Sequence, residues 1–126
     1  MSSKILSRKV ALVTGGSRGI GRAIAVALAA EGAFVVVNCV ADIAAAQQVA
    51  ADIHEIGGRA SVVKADVSAA EEVRALFAAA ESLYGPVDIL VNNAGLARYA
   101  PIRDYDEKDF DRLFDVNVKG TFLTQV

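Results

Sequence analysis

Between Val10 and Val91 the chain alternates short, almost unbroken apolar runs with longer stretches whose apolar residues recur at helical spacing. The runs are Val10 to Val13, Ala33 to Val37 ending at Asn38, Ala60 to Ala65 and Val87 to Val91. Each has the length and continuity of a strand buried on both faces, as in a parallel sheet covered by helices. The intervening pattern predicts helices from about Gly19 to Ala30, from an Asp42 cap to about Ile56, and from Ser68 to the stop at Gly85-Pro86. Punctuation agrees with the periodicity: Gly32 and the Gly57-Gly58 pair end helices, and Ser68-Ala69-Ala70-Glu71 has the form of a capping box. Strict alternation of strand and helix prescribes an α/β domain with a doubly wound parallel sheet, right-handed crossovers and helices on both faces. The expected strand order is 3-2-1-4, with the polar strand ends Thr14, Asp66 and Asn92 gathered at the carboxyl edge, where open sheets of this kind bind ligands.

The chemistry concentrates where the first apolar run breaks, in Lys9 to Gly21, KVALVTGGSRGIG. Gly15, Gly19 and Gly21 each remove a Cβ that would obstruct the turn, the ligand or the helix-to-strand contact. The helix that follows turns its unpaired N–H groups and the positive end of its dipole towards the same place, which suits a pyrophosphate. The spacing is G-x-x-x-G-x-G rather than G-x-G-x-x-G, and the Gly-Lys-Ser/Thr of a P-loop is absent. Gly15, Ser17, Arg18, Gly19, Ile20 and Gly21 are therefore the candidate dinucleotide cradle.

Composition narrows the class. The 126 residues are 54% hydrophobic with a formal net charge of −2, which predicts one compact domain spanning residues 1–126. Charge is dispersed without a basic stripe, which speaks against a nucleic-acid partner. The single Cys39 cannot form an internal disulfide, and no apolar run approaches membrane-spanning length, so a reducing, cytoplasmic setting without a membrane partner is expected.

Taken together, Thr14-Gly15-Gly16-Ser17-Arg18-Gly19-Ile20-Gly21, Asp66-Val67, Asn92-Asn93-Ala94-Gly95 and Asn117, in that order, resemble the short-chain dehydrogenase/reductase family, and most of all its branch similar to 3-oxoacyl-carrier-protein reductases. The resemblance covers the whole chain. It implies a Rossmann-type fold and an oxidoreductase that moves a hydride between NAD(P) and a small-molecule carbonyl or secondary alcohol. It also implies that Asp66 bonds the adenine amine, that the Val67 backbone reads the ring edge, and that Asn93, Ala94 and Gly95 lie along the nicotinamide-side ribose. Asn117 matches the asparagine of the family's catalytic tetrad, which helps to hold a proton-relay water.

The family's catalytic Ser, and its Tyr with Lys four residues later, would lie beyond Asn117, and the sequence stops at Val126. Of the tyrosines present, Tyr84 is followed at the fourth position by Asp88, Tyr99 by Arg103 and Tyr105 by Asp109. Without a phenol and neighbouring ammonium to deliver the carbonyl's proton, the expectation is a domain incomplete on its C-terminal side, the N-terminal portion of a longer enzyme. The alternative is a nucleotide-binding module without catalysis. A methyltransferase would want an acid at the end of the second strand, where Asn38 stands. Because Asn38 is neutral at the place where NAD-specific proteins carry a carboxylate, and Arg18 offers a cation, NADP(H) is expected to be preferred and NAD(H) possible.

Other polar features have plainer readings. His54, beside Asp52 and Glu55, lacks partners at metal-ligand spacing and reads as a solvated helix position. Asp104 to Asp111 departs from a calcium loop at the obligatory Gly and reads as charges at a helix start. Leu96 to Arg103 is a candidate substrate rim. Leu113, Phe114, Val116, Val118, Phe122, Leu123 and Val126 point nearly all round a helix, which needs a cover. With the fourth strand as an open edge, the chain alone is expected to be aggregation-prone, and its full-length form a homodimer or homotetramer through this helix.

Overall fold

The structure is a computed structural model that describes residues 4–17 and 19–93. Arg18, Ala94, Gly95, Asn117, the Leu96 to Arg103 rim, the Asp104 to Asp111 run and the apolar segment from Leu113 to Val126 lie outside the described residues.

Among the described residues four strands and three helices alternate: β1 (Val10–Val13), α1 (Gly19–Ala30), β2 (Phe34–Cys39), α2 (Ile43–Glu55), β3 (Arg59–Lys64), α3 (Ala70–Tyr84) and β4 (Ile89–Val91). All pairings are parallel and the order is β3-β2-β1-β4, as the alternation requires. Strand side chains alternate between two cores. Ala11, Val13, Val35, Val37 and Cys39 meet Ala25 and Ala29 of α1 and Ala46, Val49, Ala50 and Ile53 of α2. Leu12 and Val36 meet Val73, Leu76 and Ala80 of α3 on the opposite face. The sheet is thus covered on both sides, which is why β1 reads as an unbroken apolar run. The helices answer with alanines facing the sheet, and small side chains there bring their backbones close to the strands.

Boundaries moved where hydrogen bonds rather than hydrophobicity decide them. β2 runs on to Cys39 because Asn38 and Cys39 keep pairing, with Val63 and Lys64 of β3. β4 begins at Ile89 rather than Val87 because the Asp88 carboxylate takes a backbone's place: its Oδ2 accepts from Val10 N at 2.9 Å while Asp88 N donates to Val10 O at 2.9 Å. The expected capping box is absent. α3 starts after Ala69, which offers no side-chain cap, and Ser68 is instead held by Asp66 while Glu72, not Glu71, reaches back to Asp66 N at 2.9 Å. Cys39 is buried, and loss of water around the thiol pushes its pKa up, with Lys64 opposing the shift and Asp42 adding to it.

α2 carries the cap that its sequence announced: Asp42 accepts from Ala45 N at 3.0 Å. Asp42→Ala should lower stability by about 1 kcal/mol and the melting temperature by about 4 °C, measured by circular dichroism. An unchanged melt would mean that the first turn of α2 draws its support from packing alone.

Candidate functional site

The carboxyl ends of β1, β2 and β4 meet at the turn between β1 and α1, and that of β3 joins them through Asn38 of β2. Gly15 has φ +62°, a left-handed conformation that admits glycine at little cost, and it folds the chain back sharply after Thr14. The turn is then fastened by three hydrogen bonds from two sides, β2 and Asn93 after β4. Gly16 N donates to Asn38 O at 3.1 Å, Gly15 N reaches Asn38 Oδ1 at a long 3.4 Å, and Gly15 O accepts from Asn93 Nδ2 at 3.0 Å. Gly21, in the first turn of α1, lies against this backbone so closely that a Cβ there would stand 2.5 Å from Gly15 O and would also strike the Asn93 amide. The sequence thus sets the start of α1 directly on the glycine turn.

Thr14 joins β1 to β4. Its Oγ1 donates to Val91 O at 3.2 Å and accepts from Asn93 N at 3.0 Å, and Thr14 N donates to Val91 O at 3.1 Å. Thr14 is a polar strand end at the ligand edge, as the sequence indicates, but it serves the turn rather than forming part of the candidate cradle. It orders the site without facing outward, being 1% exposed.

What faces outward is the beginning of α1. The first turn of this helix carries no acidic residue, Gly19 and Ile20 are exposed, and Ile20 retains 73% of its accessible surface. A bulky apolar side chain beside helix-terminal N–H groups suits a ligand with both an anionic and an apolar part. Because Gly15 and Gly16 donate to Asn38, the donors left to an anion here come from Ser17 and the first turn of α1 rather than from Gly15, which contributes shape.

The other expected contacts divide. Asp66 is half-buried in the turn after β3, and its Oδ1 accepts from Ser68 N at 3.0 Å and Ser68 Oγ at 2.6 Å, so at least one oxygen organises the turn into α3. Val67 sends its side chain into the α3-side core at 1% exposure. Asn93 stands beside Gly15, whereas Asn92 is exposed. Asn38 is placed differently from the expectation that it reads a ribose 2′-position. It is fully buried, and its Nδ2 donates to Val63 O at 3.2 Å and Ala65 O at 3.1 Å. Its side chain is turned into the sheet, and the first half-exposed positions beyond β2 are Val40 to Asp42. His54 is exposed, and no cluster of three or more metal-ligating side chains occurs among the described residues. No helix among them is long and apolar enough to cross a membrane.

Known proteins share this arrangement. Over 118 residues the chain is 49% identical to an uncharacterized oxidoreductase of Methylorubrum extorquens, covering 94% of this chain and 48% of that protein. It is 47% identical over 130 residues to a chloroplastic NADPH-dependent aldehyde reductase-like protein of Arabidopsis thaliana, again covering 94% of this chain and 48% of the relative. Among solved structures, a short chain dehydrogenase from Burkholderia cenocepacia in complex with NADP superposes with a TM-score of 0.90 at 42% identity, covering 95% of this chain and 49% of that one. A dehydrogenase/reductase from Sinorhizobium meliloti gives a TM-score of 0.91 at 42% identity over 97% of this chain and 48% of that one. The chain therefore spans about half the length of the relatives it matches. Residues 9–126 match the family described as short chain dehydrogenase, and the chain belongs to that family.

Proposed function

We propose that the chain carries the cofactor-binding half of an NADP(H)-dependent oxidoreductase acting on a small-molecule carbonyl or secondary alcohol. The observation that carries this reading is the contact of Gly21 with Gly15 and Asn93, which seats the start of α1 on the sheet edge with Ile20 exposed beside it. A dinucleotide fits that place: its pyrophosphate matches the helix terminus and its rings the apolar surface. When bound, the nicotinamide supplies the hydride chemistry.

The chain's own residues bind and orient. Ser17 and the first-turn amides of α1 take the pyrophosphate, with Gly19, Ile20 and Gly21 forming its floor. Asp66 and the Val67 backbone take the adenine, and Asn93, Ala94 and Gly95 line the nicotinamide-side ribose. Asn117 is assigned the water-holding role that the family resemblance implies. The preference for NADP(H) over NAD(H) no longer rests on the Asn38 side chain. It rests on neutral Val40 and Ala41 after β2, on an Asp42 carboxylate engaged as a helix cap, and on Arg18 as a cation for a 2′-phosphate. The NADP complex of the Burkholderia relative supports it.

No tyrosine in the 126 residues has a lysine four positions on, so these residues by themselves are proposed to bind the dinucleotide without turning it over. The same reading places the full-length form in the cytoplasm as a homodimer or homotetramer. Fluorescence titration with NADPH and NADH tests the cofactor part: NADPH should bind about tenfold more tightly, which corresponds to about 1.4 kcal/mol. Tighter binding of NADH would overturn the preference. Consumption of NADPH by the 126-residue chain in the presence of aldehydes or ketones would overturn the proposed inactivity.

A further inference from the structure

We propose that Asn38 is a positioning residue that couples the two halves of the cofactor site, the glycine turn after β1 and the adenine-side turn after β3. The inference rests on the dinucleotide reading above, and it gives Asn38 a role different from selecting the cofactor.

Asn38 sits in the middle of the carboxyl edge, between β1 and β3. Alternation along β2 puts its side chain on the α3 face with Val36, where it is fully buried. From there it reaches in both directions. Towards β1, its backbone carbonyl accepts from Gly16 N at 3.1 Å and Oδ1 lies 3.4 Å from Gly15 N. Towards β3, Nδ2 donates to Val63 O at 3.2 Å and Ala65 O at 3.1 Å, with Cys39 O at the limit of 3.5 Å. Ala65 is the residue before Asp66, and Gly15 opens the cradle.

Only a carboxamide of this length meets both demands. It offers two donors and an acceptor in one plane, whereas a carboxylate has no donor for the Val63 and Ala65 carbonyls, and an aliphatic side chain serves neither turn. In a site this dry an unmatched polar group is costly, so the native amide holds the two turns at one separation. A dinucleotide must touch both turns at once, and its affinity depends on that separation, whereas adenosine, which has no phosphate for the glycine turn or Arg18, uses chiefly the turn after β3. An acid placed at position 38 would therefore not create an NAD-selective site; it would loosen the frame.

The test compares the chain with Asn38→Asp and Asn38→Leu, using NADPH and adenosine as ligands and amide hydrogen exchange as a readout without ligand. Both variants should bind NADPH about tenfold more weakly, and adenosine within about threefold of the parent. Exchange should quicken at Gly15 and Ala65 but not at Leu12 or Val36 in the core. Equal weakening of both ligands with faster exchange at Leu12 and Val36 would show a merely structural residue and overturn the proposal. So would unchanged NADPH affinity in a folded Asn38→Leu variant. A parent chain that bound neither ligand would remove the dinucleotide reading instead, and exchange at Gly15 and Ala65 would still decide whether Asn38 joins the turns.

Discussion

Gly21→Ala is expected to abolish measurable NADPH binding and to destabilise the fold, although alanine is the better helix former. On propensity alone the change should stabilise α1 by about 1 kcal/mol. The structure reverses the sign. The added methyl would sit 2.5 Å from Gly15 O, a backbone atom fixed in turn by Asn93 Nδ2 at 3.0 Å, so neither neighbour can step aside cheaply. Relief requires α1 to lift from the glycine turn or Asn93 to leave it. Overpacking of this kind costs about 1–3 kcal/mol, and the displaced helix start would no longer face a pyrophosphate held at the sheet edge. Thermal melting and fluorescence titration together check this. A variant that melts higher than the parent and binds NADPH as tightly would show that α1 is free to shift, and would remove the contact on which the functional reading rests.

The sheet was legible because its determinants are local. Four apolar runs with helical stretches between them leave almost no alternative to a parallel sheet, and the order β3-β2-β1-β4 follows from how such units wind in both directions from the first strand. The glycine turn was legible for the same reason, since strand, glycines and helix follow one another in 12 residues from Val10 to Gly21. What escaped were assignments made by partners distant in sequence. Asp88 extends the β1–β4 pairing across 78 positions, and Thr14 binds Asn93 across 79; neither partner can be seen in the neighbourhood of the residue. Asn38 reads as a ligand-facing position because it closes the second apolar run, where NAD-specific proteins carry a carboxylate. Its burial depends on β3 continuing to pair beside it, which only the register of Asn38 with Val63 reveals. Glu72 replaces Glu71 in the turn before α3 for a related reason: Asp66, six residues earlier, had already captured Ser68.

Gly15→Val should also eliminate NADPH binding, but through conformation, and Gly15→Asn should separate that cause from steric exclusion. At φ +62° a β-branched residue is a strong outlier, while asparagine enters this region several times more often than most residues. Left-handed backbone costs an ordinary L-residue about 1–2 kcal/mol, and valine stands at the unfavourable end because its branched Cβ crowds the adjacent carbonyl. Valine would push the chain towards negative φ. The Gly15 carbonyl would then swing away from Asn93 Nδ2 and its N–H from Asn38 Oδ1, releasing the turn from β4 and β2 together. Asparagine keeps the left-handed turn and with it both anchors, so it should retain NADPH binding within about tenfold of the parent, a cost of about 1.4 kcal/mol. Titration of both variants, with melts to confirm that each is folded, gives the comparison. If asparagine fails as completely as valine while both variants remain folded, what the cradle needs at position 15 is empty space for the ligand rather than a left-handed backbone, and the pyrophosphate must approach Gly15 itself rather than Ser17 and the first turn of α1.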